Sequence, residues 1–218
     1  MYLAHTPDFI QHIFPDLTWK IPTDKPSIFL TFDDGPVPEV TPWVLDTLAQ
    51  FNAKASFFCV GENVNNYPTI FKRLEEEGHT VGNHTYNHLS GWSTDNVSYL
   101  RNVRKGARMT KSTLFRPPYG KLRPSQARFL KYHYDIIMWD VLSGDFDPEL
   151  SKEACLSNVC ENSSSGSIIV FHDSIKSFEK LKFVLPNTLE YFSRQNYSFE
   201  SIKPMKRRNQ VLFSSVQA

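Results

Sequence analysis

Two adjacent carboxylates, Asp33 and Asp34, stand where the apolar run of LTFDDGPVPE stops and Gly35-Pro36 turns the chain. Neighbouring negative charges repel, so the pair either caps a turn or sits beside something positive. Further on, HTYNH sets His84 and His88 four residues apart. One turn of helix would bring both imidazoles to the same side, and such a pair suits a borderline metal such as zinc. An Asp would supply a third ligand. Adjacent strand residues face opposite ways, so Asp33 and Asp34 are expected to divide the work, one binding metal and the other handling a proton. Two His and one Asp leave a coordination position open, as hydrolysis needs.

Three further stretches carry reactive groups. In FRPPYG, Pro117-Pro118 stiffens the chain and fixes where Arg116 and the Tyr119 backbone point. A fixed guanidinium can hold a catalytic carboxylate by a bidentate contact, and a backbone N–H near Tyr119 can steady an oxyanion. IIVFHDS ends an apolar strand with His172, either a satisfied core residue or a general acid near neutral pH. As an acid it needs a carboxylate to orient it, and WDVLSGDFD offers Asp140, Asp145 and Asp147. Trp92, Trp139 and Phe146 can pack in the core or form apolar walls for a sugar face.

These groups must be positioned by something regular, and the chain between them alternates short apolar runs with helical patterns. SIFLTF, KASFFCV, HTVGNH, LFR, DIIMWDV, SIIVFHD and YSFESI read as seven strands. Between them TPWVLDTLAQFN predicts a helix with Thr41 as N-cap and Pro42 at its first position. PTIFKRLEEEG predicts one ending at Gly78, and TDNVSYLRNVRKGARMTKS one capped near Thr94 or Asp95. SQARFLKYH and SKEACLSNVCEN are helical patterns, as is EKLKFVLPNTLEYFSRQ, which Pro186 is expected to kink or split. The alternation implies right-handed βαβ units on a parallel sheet, and seven units suit a barrel or a distorted barrel. The reactive residues all fall at C-terminal strand ends, where such barrels carry their chemistry.

The bulk composition agrees with a globular domain. The chain has 218 residues, 40% hydrophobic and 22% charged, with a formal net charge of +1. That length supports a core without covalent staples, and that charge argues against nucleic acid as the main partner. Cys59, Cys155 and Cys160 are an odd number without a CxxC pair, which disfavours a disulfide framework and fits a reducing compartment. The first twenty residues lack a basic stretch followed by a continuous apolar one, so neither a leader nor a membrane span is expected, and the expected location is the cytoplasm. The chain contains no G-x-S-x-G elbow, which disfavours a serine esterase.

TFDDGP, HTYNH, RPPYG, WDVLSGDF and IIVFHDS, in this order, closely resemble the five motifs of the polysaccharide deacetylases, carbohydrate esterase family four. The resemblance runs from about Ser27 to Phe199. It implies an α/β fold, a distorted (β/α) barrel of about seven parallel strands, with a divalent metal, usually zinc, cobalt or nickel. It implies a hydrolase removing N- or O-linked acetyl groups from an acetylated oligo- or polysaccharide. By position, Asp33 matches the catalytic base, and Asp34, His84 and His88 match the metal ligands. Arg116 matches the arginine that steadies the base, and Tyr119 the oxyanion-donating backbone. His172 matches the general acid and Asp145 its supporting carboxylate, with Asp140 in reserve. Trp92, Pro118, Tyr119, Trp139 and Phe146 are expected to meet substrate. The fourth motif departs from the family pattern, because Leu142 stands where a first Asp is common and Phe146 where Trp is common.

The expected organisation is an N-terminal extension over 1–26 packed on the barrel, a catalytic domain over 27–202 and a basic tail over 203–218. Two rival readings share the architecture. One is a metal hydrolase of a small cyclic amide or ureide, and the other a carbohydrate-binding barrel without catalysis.

Overall fold

A computed structural model of the protein describes residues 3–205; Lys206, Arg207 and Arg208 of the expected basic tail lie outside the described residues. Among the described residues eight strands and eight helices follow one another, mostly in alternation. The strands are β1 (Ser27–Asp33), β2 (Ser56–Cys59), β3 (Thr80–Asn83), β4 (Leu114–Phe115), β5 (Asp135–Ile136), β6 (Val141–Leu142), β7 (Ile168–His172) and β8 (Ser198–Phe199). The helices are α1 (Asp8–Ile13), α2 (Val40–Gln50), α3 (Gly61–Asn66), α4 (Pro68–Glu76), α5 (Asn96–Thr110), α6 (Pro124–Leu130), α7 (Lys152–Asn162) and α8 (Phe178–Ser193). The strand order is β5-β4-β3-β2-β1-β7-β6, with β8 beside the start of β1, and every pairing within it is parallel.

The topology forces the sheet to curl. Seven strands laid flat would separate the outer two by roughly 29 Å. Yet β5 and β6 are those outer strands, and only Ile137 to Asp140 join them. Five residue steps span at most ~18 Å. The stretch DIIMWDV, expected as one strand, is therefore two short strands on opposite edges of an incomplete barrel. The N-terminal segment fills the opening. Ala4 and Thr6 pair with Leu142 and Asp140 on one side, and Thr18 with Ile136 and Met138 on the other. Both edges thereby find partners for backbone groups that an open edge leaves unpaired.

β1 is buried along its whole length, and its two-residue period sorts its side chains. Ile28, Leu30 and Phe32 pack in the layer under the helices with Val44, Leu48, Leu185 and Phe192. Phe29 joins Phe58, Leu114, Ile137 and Ile168 in a second apolar cluster. Thr31 and Asp33, two and four positions after Phe29, both bond Arg116, so this row runs from an apolar floor to a polar rim.

Some local expectations are corrected. Glu39, not Thr41, stands at the N-cap of α2, and Thr41 lies inside the helix with its hydroxyl committed elsewhere. α8 runs unbroken through Pro186. The carbonyl that the proline leaves without an amide partner belongs to exposed Lys182, on the solvent side of the helix. Asp95 does cap α5, its carboxylate accepting the Ser98 N–H at 3.0 Å. Helices α1 and α3, six residues each, were too short to leave a periodic signal. Cys59, Cys155 and Cys160 are all free thiols, and among the described residues no helix is long and apolar enough to cross a membrane.

Candidate active site

At the C-terminal ends of the strands lies a cavity of about 450 Å³ lined by Asp33, Asp34, His84, His88, Tyr119 and His172, with Trp139, Leu142, Phe146, Val170, Lys121 and Lys176. Four of the turns around it are unusual. Asp34 has φ 86°, Thr85 65°, His88 55° and Tyr119 61°. Non-glycine residues rarely adopt this left-handed region, and the cost is sustained only where the surroundings over-determine it.

The two carboxylates do not divide by strand alternation, as the sequence suggested. β1 ends at Asp33, and the left-handed Asp34 folds its side chain back beside its neighbour. Both reach His84, whose Nε2 lies 4.0 Å from Asp33 Oδ2 and 3.8 Å from Asp34 Oδ1. Their surroundings separate them. Arg116 donates to Asp33 Oδ1 at 2.7 Å, to Thr31 Oγ1 at 2.7 Å and to the Ile137 and Met138 carbonyls. Its guanidinium is wholly buried over the Phe58 ring at 4.1 Å. The contact to Asp33 is single rather than bidentate, because the other guanidinium nitrogens serve backbone carbonyls.

Asp34 faces imidazoles instead. Its Oδ1 is buried 3.1 Å from His88 Nε2, in a geometry that gives no hydrogen bond. Burial alone would raise the Asp34 pKa, but His88, His172 and His84 more than offset it and hold the carboxyl well below its usual range. Oxygen and nitrogen atoms of Asp34, His84 and His88 lie within 4.8 Å of one another. A buried carboxylate oxygen without a hydrogen bond, aimed at two imidazole nitrogens, is the donor set that a divalent ion fits.

His84 and His88 are not on a helix turn. HTYNH is an irregular loop after β3, and left-handed Thr85 and His88 bring the rings to 5.0 Å. Asn102 of α5 holds this loop by accepting the Tyr86 and Asn87 amides. His84 Nδ1 lies 2.8 Å from the Arg116 carbonyl, which makes Nδ1 the protonated nitrogen and leaves Nε2 bare toward Asp34. Burial pushes the His84 pKa down to about 4, so the ring is neutral.

His172 lies opposite Asp33 in the β1–β7 register. Its Nδ1 is 2.8 Å from Asp145 Oδ1, and its N–H donates to Asp145 Oδ2 at 2.8 Å. Burial would lower its pKa, but Asp145 dominates, with Asp34 and Asp33 adding to it, and the value rises to about 9. Phe146 sets its ring edge-on to His172 at 5.1 Å.

Asp140, the reserve carboxylate, is elsewhere. It accepts from Ser167 and from the Ile168 N–H at the opposite end of β7, each at 2.8 Å. Pro118 is buried and does not line the cavity. Trp92, 61% exposed, lines a neighbouring cavity of about 480 Å³ with Trp19 and Leu122. Lys121 stands between it and the candidate site, its Nζ 5.6 Å from the Trp92 ring and 5.7 Å from that of Tyr119.

Sequence reasoning set Asp173 at a strand end but gave it no role; it is buried beside the Asp34 turn, and burial raises its pKa to about 8. The signal for a role was its place directly after His172. Sequence reasoning missed Lys121 and Lys176, which had no motif around them.

The sequence model of the polysaccharide deacetylase family matches residues 20–134. The chain is 31% identical over 201 residues to a peptidoglycan-N-acetylglucosamine deacetylase of Bacillus cereus, covering 88% of this chain and 93% of that one. It is 36% identical over 189 residues to a Listeria monocytogenes peptidoglycan-N-acetylglucosamine deacetylase, covering 84% of this chain but 39% of that longer one. A solved peptidoglycan N-acetylglucosamine deacetylase, in complex with 4-naphthalen-1-yl-N-oxidanyl-benzamide, superposes with a TM-score of 0.78 at 31% identity, over 90% of this chain and 95% of that one. The curled parallel sheet, the matched sequence model and these relatives agree: the chain belongs to the polysaccharide deacetylase family and is a carbohydrate-deacetylating hydrolase.

Proposed function

We propose that this cavity is a metal-dependent centre that removes the N-acetyl group from N-acetylglucosamine units of a glycan. One observation carries the reading: Asp34, His84 and His88 converge on one point beside two groups suited to moving protons, Asp33 and His172. The relatives named for peptidoglycan N-acetylglucosamine support the substrate class.

Asp34, His84 and His88 would hold the ion, and one nitrogen-rich set with a single carboxylate favours zinc. A divalent ion there would supply Lewis acidity toward the acetyl carbonyl and toward water. Asp33 takes the proton of the attacking water, and Arg116, bonded to it at 2.7 Å, holds its carboxylate in place. The Tyr119 N–H, on a turn fixed by Pro117 and Pro118, is assigned to the oxyanion of the tetrahedral intermediate. His172, charged through Asp145, gives its Nε2 proton to the departing amine. Trp139 and Phe146 wall the cavity and shield the reacting centre from water. Leu142, at the position where the family commonly carries a further Asp, is one of the apolar wall residues, and Asp145 is the carboxylate bonded to the His172 ring.

The test is acetate release from a panel of N- and O-acetylated oligosaccharides after metal stripping and reloading. Zinc-dependent release from N-acetylated chains, absent in His84→Ala, supports the proposal. Turnover of small cyclic amides alone, or glycan binding without acetate release under any metal, refutes it.

A further inference from the structure

Asp173 takes no part in the chemistry above, yet its side chain is built into the site. It follows His172 at the end of β7 and is 1% exposed. A carboxyl so deeply buried is costly unless its oxygens are hydrogen-bonded. Oδ1 accepts the Gly35 N–H at 3.0 Å and Oδ2 accepts the Thr41 hydroxyl at 2.6 Å. The Asp173 N–H donates to the Asp33 carbonyl at 3.1 Å. Thr41 Oγ1 in turn accepts the Val37 N–H at 2.7 Å.

These bonds bracket Asp34 on both sides, the Asp33 carbonyl before it and the Gly35 amide after it. Asp34 needs such a bracket, because a non-glycine residue at φ 86° relaxes unless its neighbours are held. Gly35 shows how closely the partners fit: a Cβ there would overlap the Asp173 carboxylate. Thr41 reads as a helix cap in sequence, but its hydroxyl completes this clamp instead.

We propose that Asp173, held by Thr41 and Gly35, is a positioning residue that keeps the Asp34 turn in ligand geometry and sets it against His172. The proposal rests on the metal-centre reading above.

The experiment measures zinc affinity of the metal-stripped full chain by competition with a chromophoric chelator, together with kcat/KM and Tm. Asp173→Ala is expected to weaken zinc binding 10–100-fold, the range typical of residues that orient metal ligands. Asp173→Asn keeps an acceptor for the Gly35 N–H and is expected within about 3-fold of the native affinity. Thr41→Val loses the hydroxyl but keeps its shape, with an expected loss of about 3- to 10-fold. A merely structural role would lower Tm and leave the zinc Kd of the folded variant unchanged. That result overturns the proposal, as does native affinity in Thr41→Val should Asp173→Ala not fold. Failure of the metal-centre reading looks different: the native chain would bind zinc no better than a His84→Ala/His88→Ala variant, which overturns both.

Discussion

Asp145→Asn isolates the charge that raises the His172 pKa. The His172 pKa rises from 6.5 to about 9 although burial pushes it down, a net preference for imidazolium of about 3 kcal/mol. Asp145 is the largest upward contributor, and the groups facing His172 otherwise are Asp33 at the end of β1, Asp34 directly after it and Lys176 after β7. Asparagine keeps the size and an acceptor but removes the charge, so the pKa is expected to fall to about 6.5 or below. At pH 8 the native ring is then about 90% protonated and the variant ring about 3%, so kcat/KM drops about 30-fold. At pH 6 the two proteins differ by less than about 2-fold from this cause. The pH profile of kcat/KM gives the basic limb, and an NMR titration of the His172 Cε1 proton gives the pKa without activity. A basic limb that stays near pH 9 in Asp145→Asn, with the rate merely scaled, refutes the assignment of His172 as the acid. The same coupling bears on stability. A raised folded-state pKa stabilises fully below pH 6.5 and is lost as pH rises through about 9, so the variant unfolds with a flatter dependence across that window.

Other perturbations address the remaining groups. Asp33→Asn is expected to lower kcat about 10²–10⁴-fold while zinc content stays native, as measured by acetate release beside metal analysis; loss of bound zinc would make Asp33 a ligand instead. Arg116→Met leaves the Asp33 carboxylate buried without its partner, and urea denaturation is expected to show a loss of about 3–5 kcal/mol. Zinc at one hundred times its Kd is expected to stabilise the native chain by about 2.7 kcal/mol, a Tm rise on the order of 5–11 °C in differential scanning fluorimetry. His84→Ala is expected to show no zinc-dependent shift, and an equal shift in that variant would place the ion elsewhere.

Much of the site was legible in the sequence because its chemistry is written in local motifs. The carboxylate pair, the two imidazoles, the arginine before two prolines and the strand-ending His172 each sit where an apolar run stops, and the parallel architecture gathers strand ends. What failed was local geometry. HTYNH was expected as a helix turn and is a loop, because left-handed Thr85 and His88 are held by Asn102 from a distant helix. Thr41 looked like a cap because its bond to Asp173 spans 132 positions. Of three carboxylates in WDVLSGDFD, spacing alone did not select the partner of His172; Asp140 and Asp145 lie at opposite ends of β7.

The sequence by itself determined the alternation of strands and helices, the inventory of reactive groups and their family resemblance, since periodicity and residue chemistry are properties of a short stretch. Only the tertiary structure decided how each group is tuned. The curl of the sheet, the N-terminal strip along its open side, the separation of Asp33 from Asp34 by an arginine and two imidazoles, and the charging of His172 by Asp145 all depend on contacts between residues far apart in the chain, whose energies follow distance and burial rather than order.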